Sequence, residues 1–335
     1  PLDLMNETWA PIGTASPYFT GEYDGGEYEI TNLMITGSAT YSGLFGYANN
    51  ATLRNIRLVS GAVNGGSNVG GICGVADGST SIANSYSGLA VTGTGTYVGG
   101  ICGQATGTTT ITSCRNTGNV TGTGSNQIGG IAGNLGGTTI KIKDCDNRGE
   151  VEGFSYTGGI AGQSSATTAE ITACRNSGTI KNTGGDMSGG IVGGNSSGYT
   201  LTLTACYNTG AVNNYGSGNG YTGGIIGILY SPATLTACYS TGTATGTDYY
   251  TGLICGSRGG TIISSYWTKG SSNVSVGVGT ATGGGDTKAF SATAWPTTTE
   301  SGWGIGDGQA ANTYWKSLGA WNSGTPEYPV LWWEE

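Results

Sequence analysis

The chain repeats a phrase of about thirty residues, with a Gly-Gly-Ile-x-Gly core and an Asn-x-Gly tail. The copy at 97–122 reads YVGGICGQATGTTTITSCRNTGNVTG. The last core glycine recurs at intervals of 28, 29, 30, 29, 31, 34 and 29 residues and marks eight copies: Gly46, Gly74, Gly103, Gly133, Gly162, Gly193, Gly227 and Gly256. A period of this length is typical of stacked repeat architectures. We therefore expect about eight coils, with the degenerate outer copies at the two ends.

Composition indicates what each coil consists of. Glycine accounts for 67 of 335 residues and charged residues for only 10%. This gives little support to amphipathic helices, whereas short runs of Thr, Ile, Val and Tyr between Gly and Asn are typical of strands. Collagen is excluded because glycine has no strict period of three. The sequence predicts an all-β fold, a parallel β-solenoid with about three strands in each coil of about thirty residues.

Stacking in register would place each residue above its counterpart in the next coil. The core isoleucines would then form an apolar spine: Ile72, Ile101, Ile131, Ile160, Ile191, Ile225 and Ile254. The flanking glycines fit either corners that need a positive φ or places where another backbone segment passes too close for a Cβ atom. Asparagine side chains cap turns, so the tail predicts a hydrogen-bonded ladder of structural residues: Asn116, Asn147, Asn176 and Asn208.

The eight cysteines fall into two columns. Cys73, Cys102 and Cys255 share an apolar core column. The other five cysteines each lie three residues after an Ile or Leu. Because an odd spacing puts two side chains on opposite faces of a straight strand, we expect a bend between the two positions. These cysteines are Cys114, Cys145, Cys174, Cys206 and Cys238. Zinc is not favoured because the chain has no histidine and no C-x₂-C pair, and stacked parallel Cβ vectors lie slightly too far apart for disulfides. We expect mostly free, buried thiols.

The two ends differ from the repeats. Residues 1–35 carry six acids and no base, and residues 286–335 carry six acids and two bases, so the net charge of −8 resides at the ends. We expect an entry or capping segment at 1–35, repeats at 36–285, and an aromatic-rich cap over the open end at 286–335. An alternative role for the cap is carbohydrate stacking, with these candidate ligand contacts: Trp303, Trp315, Trp321, Trp332 and Trp333.

The core phrase with its CRNTG or CYNTG tail resembles the GLUG-motif repeats of bacterial surface and secreted proteins. The opening WAPIG and the closing GTPEYPVLWWEE resemble the usual entry and end of such arrays. The resemblance implies an extracellular or cell-surface location and an association with adhesins or with the catalytic domains of surface proteases. It supplies no catalytic residue for this chain. Because the chain starts at Pro1 without an initiator Met or a signal h-region, we interpret it as a mature or excised segment.

An enzymatic site would need clustered carboxylates, as in polysaccharide-processing β-helices. One cluster qualifies, although it also fits a solvated patch: Asp144, Asp146, Glu150 and Glu152 beside Lys141, Lys143 and Arg148. Asp24 and Glu27 are candidate Ca²⁺ ligands, but a Gly-Gly turn with flanking acids is far commoner than a Ca²⁺ site. Without histidine the chain has no nucleophile–base constellation. We predict that the chain is not an enzyme and has no cofactor and no metal site.

The sequence favours a non-catalytic extracellular scaffold, structural or adhesive, with a host or matrix glycan or protein as a candidate partner. The alternatives are a filament subunit that self-associates through the solenoid ends, a carbohydrate-binding or polysaccharide-processing β-helix, and an ice-binding solenoid using the threonines at 108–112 and 200–204. The acidic balance argues against nucleic acid as a partner. The chain contains no run of 18 apolar residues, so the sequence predicts no membrane-spanning segment.

Overall fold

The computed structural model describes residues 1–124, 127–216, 220–246, 250–268, 272, 274–281, 286–322 and 325–334. These residues form an all-β parallel solenoid, and no α-helix occurs among them. A regular coil contains five short strands rather than about three, because tight corners interrupt it four times. One coil shows the pattern: Val98–Gly99, Cys102–Ala105, Thr108–Thr112, Arg115–Asn116 and Val120–Gly122. No helix of the described residues is long and apolar enough to cross a membrane.

Five parallel sheets run along the solenoid, and we number them in the order in which a coil passes through them. Sheet 1 has seven strands: Val69–Gly70, Val98–Gly99, Gln127–Gly129, Tyr156–Gly158, Met187–Gly189, Tyr221–Gly223 and Thr251–Gly252. Sheet 2 has nine: Phe45–Asn49, Cys73–Asp77, Cys102–Ala105, Ala132–Leu135, Ala161–Ser164, Val192–Asn195, Ile226–Leu229, Cys255–Arg258 and Val278–Ala281. Sheet 3 has nine: Glu22–Asp24, Thr52–Arg54, Ser81–Ala83, Thr108–Thr112, Thr139–Lys143, Thr168–Thr172, Thr200–Thr204, Ala233–Thr236 and Thr261–Ile263.

The last two sheets complete each coil. Sheet 4 has eleven strands: Leu2–Asp3, Glu29–Thr31, Arg57–Leu58, Tyr86–Ser87, Arg115–Asn116, Asp146–Asn147, Arg175–Asn176, Tyr207–Asn208, Tyr239–Ser240, Ser265–Trp267 and Thr287–Ala289. Sheet 5 has eight: Leu33–Ile35, Gly61–Gly65, Ala90–Gly93, Val120–Gly122, Val151–Gly153, Ile180–Asn182, Val212–Asn214 and Ala244–Thr245. Outside the solenoid, one antiparallel pair is formed by Trp315–Ser317 and Val330–Leu331.

The register follows the sequence period. Each strand pairs in parallel with its counterparts one coil before and after, as when Ile111 lies between Ile82 and Ile142. The expected coils are present, and sheet 2 adds a ninth through the pairing of Val278 with Cys255. Its glycine, Gly279, follows Gly256 more closely than the regular interval, and this departure hides the ninth coil in the sequence.

The core is a stack of apolar columns. All seven spine isoleucines are fully buried. The paired glycines beside them do not have a positive φ. A Cβ atom on Gly129 would instead overlap the carbonyl oxygen of Ala132, and one on Gly130 would overlap that of Gly159 in the next coil. Close approach between backbone segments, rather than left-handed geometry, therefore explains the Gly-Gly pair.

The tail asparagines form a buried hydrogen-bonded ladder. The side-chain amide of Asn116 donates to Oδ1 of Asn147 at 2.9 Å, Asn147 donates to Asn176 at 2.7 Å, and Asn176 donates to Asn208 at 2.8 Å. Each amide also donates to the carbonyl oxygen two residues ahead, at 2.8–2.9 Å. The ladder satisfies polar groups that would otherwise be unpaired in the interior.

A left-handed residue forms the corner between sheets 3 and 4 in successive coils. This corner column comprises Glu27, Asn55, Asn84, Ser113, Asp144, Ala173, Ala205, Ala237 and Ser264, with φ between 44° and 60°. From Ser113 to Ala237 the corner lies immediately before the second cysteine column. It is the bend that the three-residue spacing required. All eight thiols are free and buried.

We predict that the thiols do not react in the folded protein. Burial raises the pKa of Cys102 and of Cys255 to about 12, so the reactive thiolate is scarce at neutral pH. Labelling with a thiol-specific maleimide, read by mass spectrometry, should therefore modify no cysteine without denaturant and all eight in guanidinium chloride. Rapid labelling of the native protein would contradict the buried placement, and missing labels in denaturant would reveal oxidised thiols.

Residues 1–35, the predicted entry or capping segment, contribute strands to the solenoid. Their strands belong to sheets 3, 4 and 5, and Ile12 and Phe19 form bridges to the first strand of sheet 2. Three of the six acids in this segment are paired with bases of the first coil: Glu22 and Asp24 with Arg54, and Glu29 with Arg57. Part of the negative charge expected at this end is therefore neutralised within the fold.

Candidate binding groove beside the C-terminal strap

Residues 290–322 and 325–334, here called the C-terminal strap, lie along the side of the solenoid and cover the corner column there. The indole of Trp303 donates to the carbonyl oxygen of Ser264 at 2.8 Å, and that of Trp333 donates to Ala173 at 2.8 Å. The strap thus runs back from the eighth coil toward the fourth. The predicted aromatic-rich C-terminal segment is present, and it packs along the side of the solenoid.

The strap buries its own aromatic cluster against sheet 4. The cluster comprises Ala173, Ala205, Tyr207, Ala237, Tyr239, Tyr266, Phe290, Trp303, Trp315, Leu318 and Leu331. The Tyr239 hydroxyl donates to the carbonyl oxygen of Pro329 at 2.6 Å. Alanine is unfavourable at a left-handed corner, but at Ala173, Ala205 and Ala237 it leaves room for this packing.

Four of the five tryptophans predicted as ligand contacts are used by the fold. Trp303 and Trp315 are fully buried and stack on each other with ring centroids 4.7 Å apart, so the prediction that they present a face to a sugar is wrong. Trp332 and Trp333 are half-buried, and their indole nitrogens donate to Asp144 and Ala173. Trp321 is 38% exposed and retains the predicted role as a hypothesis.

A groove occupies the part of the same side that the strap leaves uncovered. It consists of two adjoining clefts of about 430 and 390 Å³, which share Glu27, Arg57, Asn84 and Tyr86. Ser113 and Arg115 also line it, and Asp144, Asp146 and Trp333 close it at the strap's end. The corners here are Asn55, Asn84 and Ser113, and asparagine in particular tolerates the left-handed conformation without a covering layer.

Glu27, Asp144, Asp146 and Trp333 were candidates from the sequence, whereas Arg57, Asn84 and Tyr86 belong to no predicted site. A signal was nevertheless present in two columns. The corner residues change from Asn to Ala along the chain, and the sheet 4 column changes from Arg57, Tyr86 and Arg115 to Tyr207 and Tyr239. The first alanine corner, Ala173, lies at the edge of the strap, where the indole of Trp333 donates to its carbonyl oxygen.

Asp146 sits at the closed end of the groove as the centre of an ion-pair cluster. Its carboxylate is 2% exposed and accepts from Arg115 at 3.1 Å, Arg148 at 2.8 Å and Arg175 at 2.9 Å. Arg175 also pairs with Glu334 of the strap. Three guanidinium groups fix this buried carboxylate in place, and removing them would leave its charge uncompensated.

Asp144 is the corner residue two positions before Asp146, and its carboxyl group has a different environment. Its side chain is 7% exposed and accepts a hydrogen bond from the indole of Trp332 at 3.3 Å. Burial raises the pKa of Asp144 to about 6, although Lys143 nearby opposes this effect. The other predicted acids do not join the site: Glu150 pairs with Lys181 at 2.8 Å on sheet 5.

We predict that Asp144 makes the protein less stable as the pH rises from 4 to 7. A carboxyl group whose folded pKa exceeds its unfolded value near 3.9 stabilises the fold fully below pH 4, and this contribution is lost as the pH rises through 6. Asp144→Asn keeps an acceptor for Trp332 but cannot ionise. The unfolding free energy of the wild type relative to Asp144→Asn should fall by roughly 1–3 kcal/mol between pH 4 and 7. If urea denaturation shows the same difference in unfolding free energy between wild type and Asp144→Asn at every pH in this range, the prediction is refuted.

Two further sequence hypotheses meet structural obstacles. Both carboxylate oxygens of Asp24 already accept hydrogen bonds, from Arg54 and from Asn55 at 2.9 Å each, and would have to exchange them for the Ca²⁺ proposed to bind Asp24 with Glu27. The threonine ranks of sheet 3 are interrupted by the Lys141–Glu170 ion pair at 3.1 Å. That interruption removes the flat, regular hydroxyl lattice that ice binding would need.

Comparison with known proteins identifies one coil. The GLUG motif family matches residues 94–121, and no curated protein matches the chain. Among solved structures, the "Crystal structure of a putative immunoglobulin A1 protease from Bacteroides ovatus" resembles this chain at 20% sequence identity and a TM-score of 0.42, over 99% of this chain and 84% of that chain. Because the matched residues contain one strand from each of the five sheets, this protein carries a GLUG motif in the form of a complete β-solenoid coil.

Proposed function

We propose that this β-solenoid is a non-catalytic scaffold module of a bacterial surface or secreted protein and that it makes adhesive contacts through its side groove. The observation that carries the proposal is the state of the two carboxylates at the end of that groove. Asp146 is held by three arginines, and Asp144 is bonded to Trp332. Both side chains are less than a tenth exposed. They support the docking of the strap.

Catalysis would need a different arrangement. A general acid or base must come within hydrogen-bond reach of the substrate, and hydrolysis of a glycosidic bond uses two carboxyl groups on either side of that bond. Asp146 is surrounded by guanidinium groups, and the raised pKa of Asp144 has burial as its main cause. A fixed carboxylate within a cluster of arginines supports binding and packing rather than proton transfer.

The covered N-terminal end supports a monomeric rod over a filament. End-to-end assembly needs free strand edges at both ends. Here Thr8, Ile12 and Phe19 form bridges to Met34, Phe45 and Ala48, so the incoming chain lies across the first coil. The segment thereby occupies backbone positions of sheets 5 and 2 that a second subunit would use, while Leu2–Asp3 and Glu22–Asp24 are the edge strands of sheets 4 and 3.

The test combines adhesion and turnover. Beads coated with the purified chain should adhere to immobilised mucin and extracellular matrix, whereas beads coated with albumin should not. The same protein should release no reducing ends from plant, bacterial or host polysaccharides. Release of products that Asp144→Asn abolishes would establish an enzyme and overturn the proposal. If the coated beads adhere to none of the tested surfaces, the adhesive part of the proposal is overturned.

A further inference from the structure

We propose that the groove formed by Asn84, Tyr86, Arg57, Arg115 and Trp333 binds a neutral, hydroxyl-rich carbohydrate chain lying along the solenoid axis. The proposal deepens the adhesive role proposed above by naming the site and the ligand class. The groove runs over the first three coils and ends where the strap begins. Its walls therefore combine side chains of successive coils with one side chain of the strap.

The lining matches the hydrogen-bonding capacity of sugar hydroxyls. A hydroxyl both donates and accepts, so a surface that recognises sugars needs donors and acceptors side by side. Asn84 offers both in one amide, Arg115 offers guanidinium donors, and Glu27 offers carboxylate acceptors. Asn84, Ser113 and Arg115 are all exposed within the groove.

The charge balance favours a neutral ligand over an anionic one. Arg57 is paired with Glu29 at 3.2 Å, and Arg115 is paired with Asp146 at 3.1 Å. An anionic chain would have to compete with these carboxylates and would approach them at short range. Neutral hydroxyls can instead bond to the remaining guanidinium N–H groups and carboxylate lone pairs of the existing pairs.

Two aromatic rings stand in fixed orientations along the groove. The guanidinium of Arg57 lies 5.0 Å from the ring centroid of Tyr86, and that of Arg175 lies 5.2 Å from that of Trp333. Both rings line the same cleft. Rings held in place in this way offer apolar faces to the C–H surfaces of a short oligosaccharide, at little cost in side-chain entropy.

The sheet beneath the groove argues against a peptide ligand. Peptides commonly bind by adding a strand to an exposed sheet edge. Here the strand Tyr86–Ser87 is paired on both sides, with Arg57–Leu58 and with Arg115–Asn116. The floor of the groove therefore offers side chains instead of a strand edge.

Affinity electrophoresis through gels containing laminarin, xylan or galactomannan tests the proposal, with heparin and hyaluronan as anionic comparisons. The variants are Tyr86→Ala, which removes a ring, and Asn84→Arg, which fills the groove from an exposed position. Tyr215→Ala is the matched control because Tyr215 is 65% exposed and belongs to neither cleft. Thermal melting of each variant establishes that it is folded.

We expect retardation by at least one neutral polysaccharide, at least tenfold weaker binding in both groove variants, and binding within twofold of wild type in the control. Stronger binding of heparin than of every neutral polysaccharide would overturn the ligand class. Neutral binding that both folded groove variants retain would overturn the site. If beads adhere although the protein binds no polysaccharide, this site is refuted and the scaffold function stands. If the protein binds a neutral polysaccharide and also cleaves it, the site stands and the non-catalytic scaffold function is refuted.

Discussion

Replacing Ile131 by aspartate is expected to lower the free energy of unfolding by several kcal/mol and to leave little folded protein at 37 °C. Ile131 is fully buried in the spine, between Ile101 and Ile160. A carboxylate there would be unpaired in an apolar stack, and the cost of burying it is comparable to the whole stability of a typical domain. Urea denaturation followed by circular dichroism measures the loss.

Two controls separate burial of charge from other effects. Ile131→Val removes only one methylene and should cost about 1 kcal/mol. Phe154→Asp introduces the same charge at a residue that is 50% exposed, and it should change stability by roughly 0.5 kcal/mol or less. An unchanged melting temperature for Ile131→Asp would show that the register of the coils is wrong.

Gly133→Ala should be nearly as damaging, although it adds a single methyl group. A Cβ atom at this position would lie 2.5 Å from the backbone nitrogen of Val98 and 2.6 Å from the carbonyl oxygen of Gly103. Both atoms belong to the preceding coil and are held by the sheets, so the coils would have to separate. We expect a loss of roughly 2–4 kcal/mol, as for overpacked cores.

Gly136→Ala is the matched control within the same coil. The nearest atom to its added Cβ would be Nδ2 of Asn134 at 3.5 Å, an ordinary contact distance, and its φ is not positive. Alanine here restricts the unfolded chain, so stability should stay the same or rise by up to about 1 kcal/mol. Equal melting temperatures for Gly133→Ala and Gly136→Ala would refute the explanation by close approach.

The coil and its columns could be predicted from the sequence because the stacking is in register. When each residue lies above its counterpart one period later, a sequence repeat becomes a column in space. The pairing of Cys73 with Cys102, and of Asn116 with Asn147, follows from the repeat alone. The period also predicted the bend before Cys114, since no straight strand turns both Ile111 and Cys114 inward.

Within the coil, local pattern left real ambiguities. Strands as short as Arg115–Asn116 have too few residues for an alternation to show, so the sequence predicts about three strands where the structure has five. Glycine is compatible both with positive φ and with close backbone approach. Only the neighbouring coil, which places backbone atoms against Gly133, distinguishes the two explanations.

The site was decided by tertiary structure. The sequence by itself determined a β-solenoid with an aromatic C-terminal segment, because periodicity and composition act through local geometry and repeated stacking. The side on which that segment lies depends on contacts such as Trp332 with Asp144, which are 188 residues apart and follow no period. The groove is the part of the corner column that the strap does not reach, and its existence depends on where such long-range packing ends.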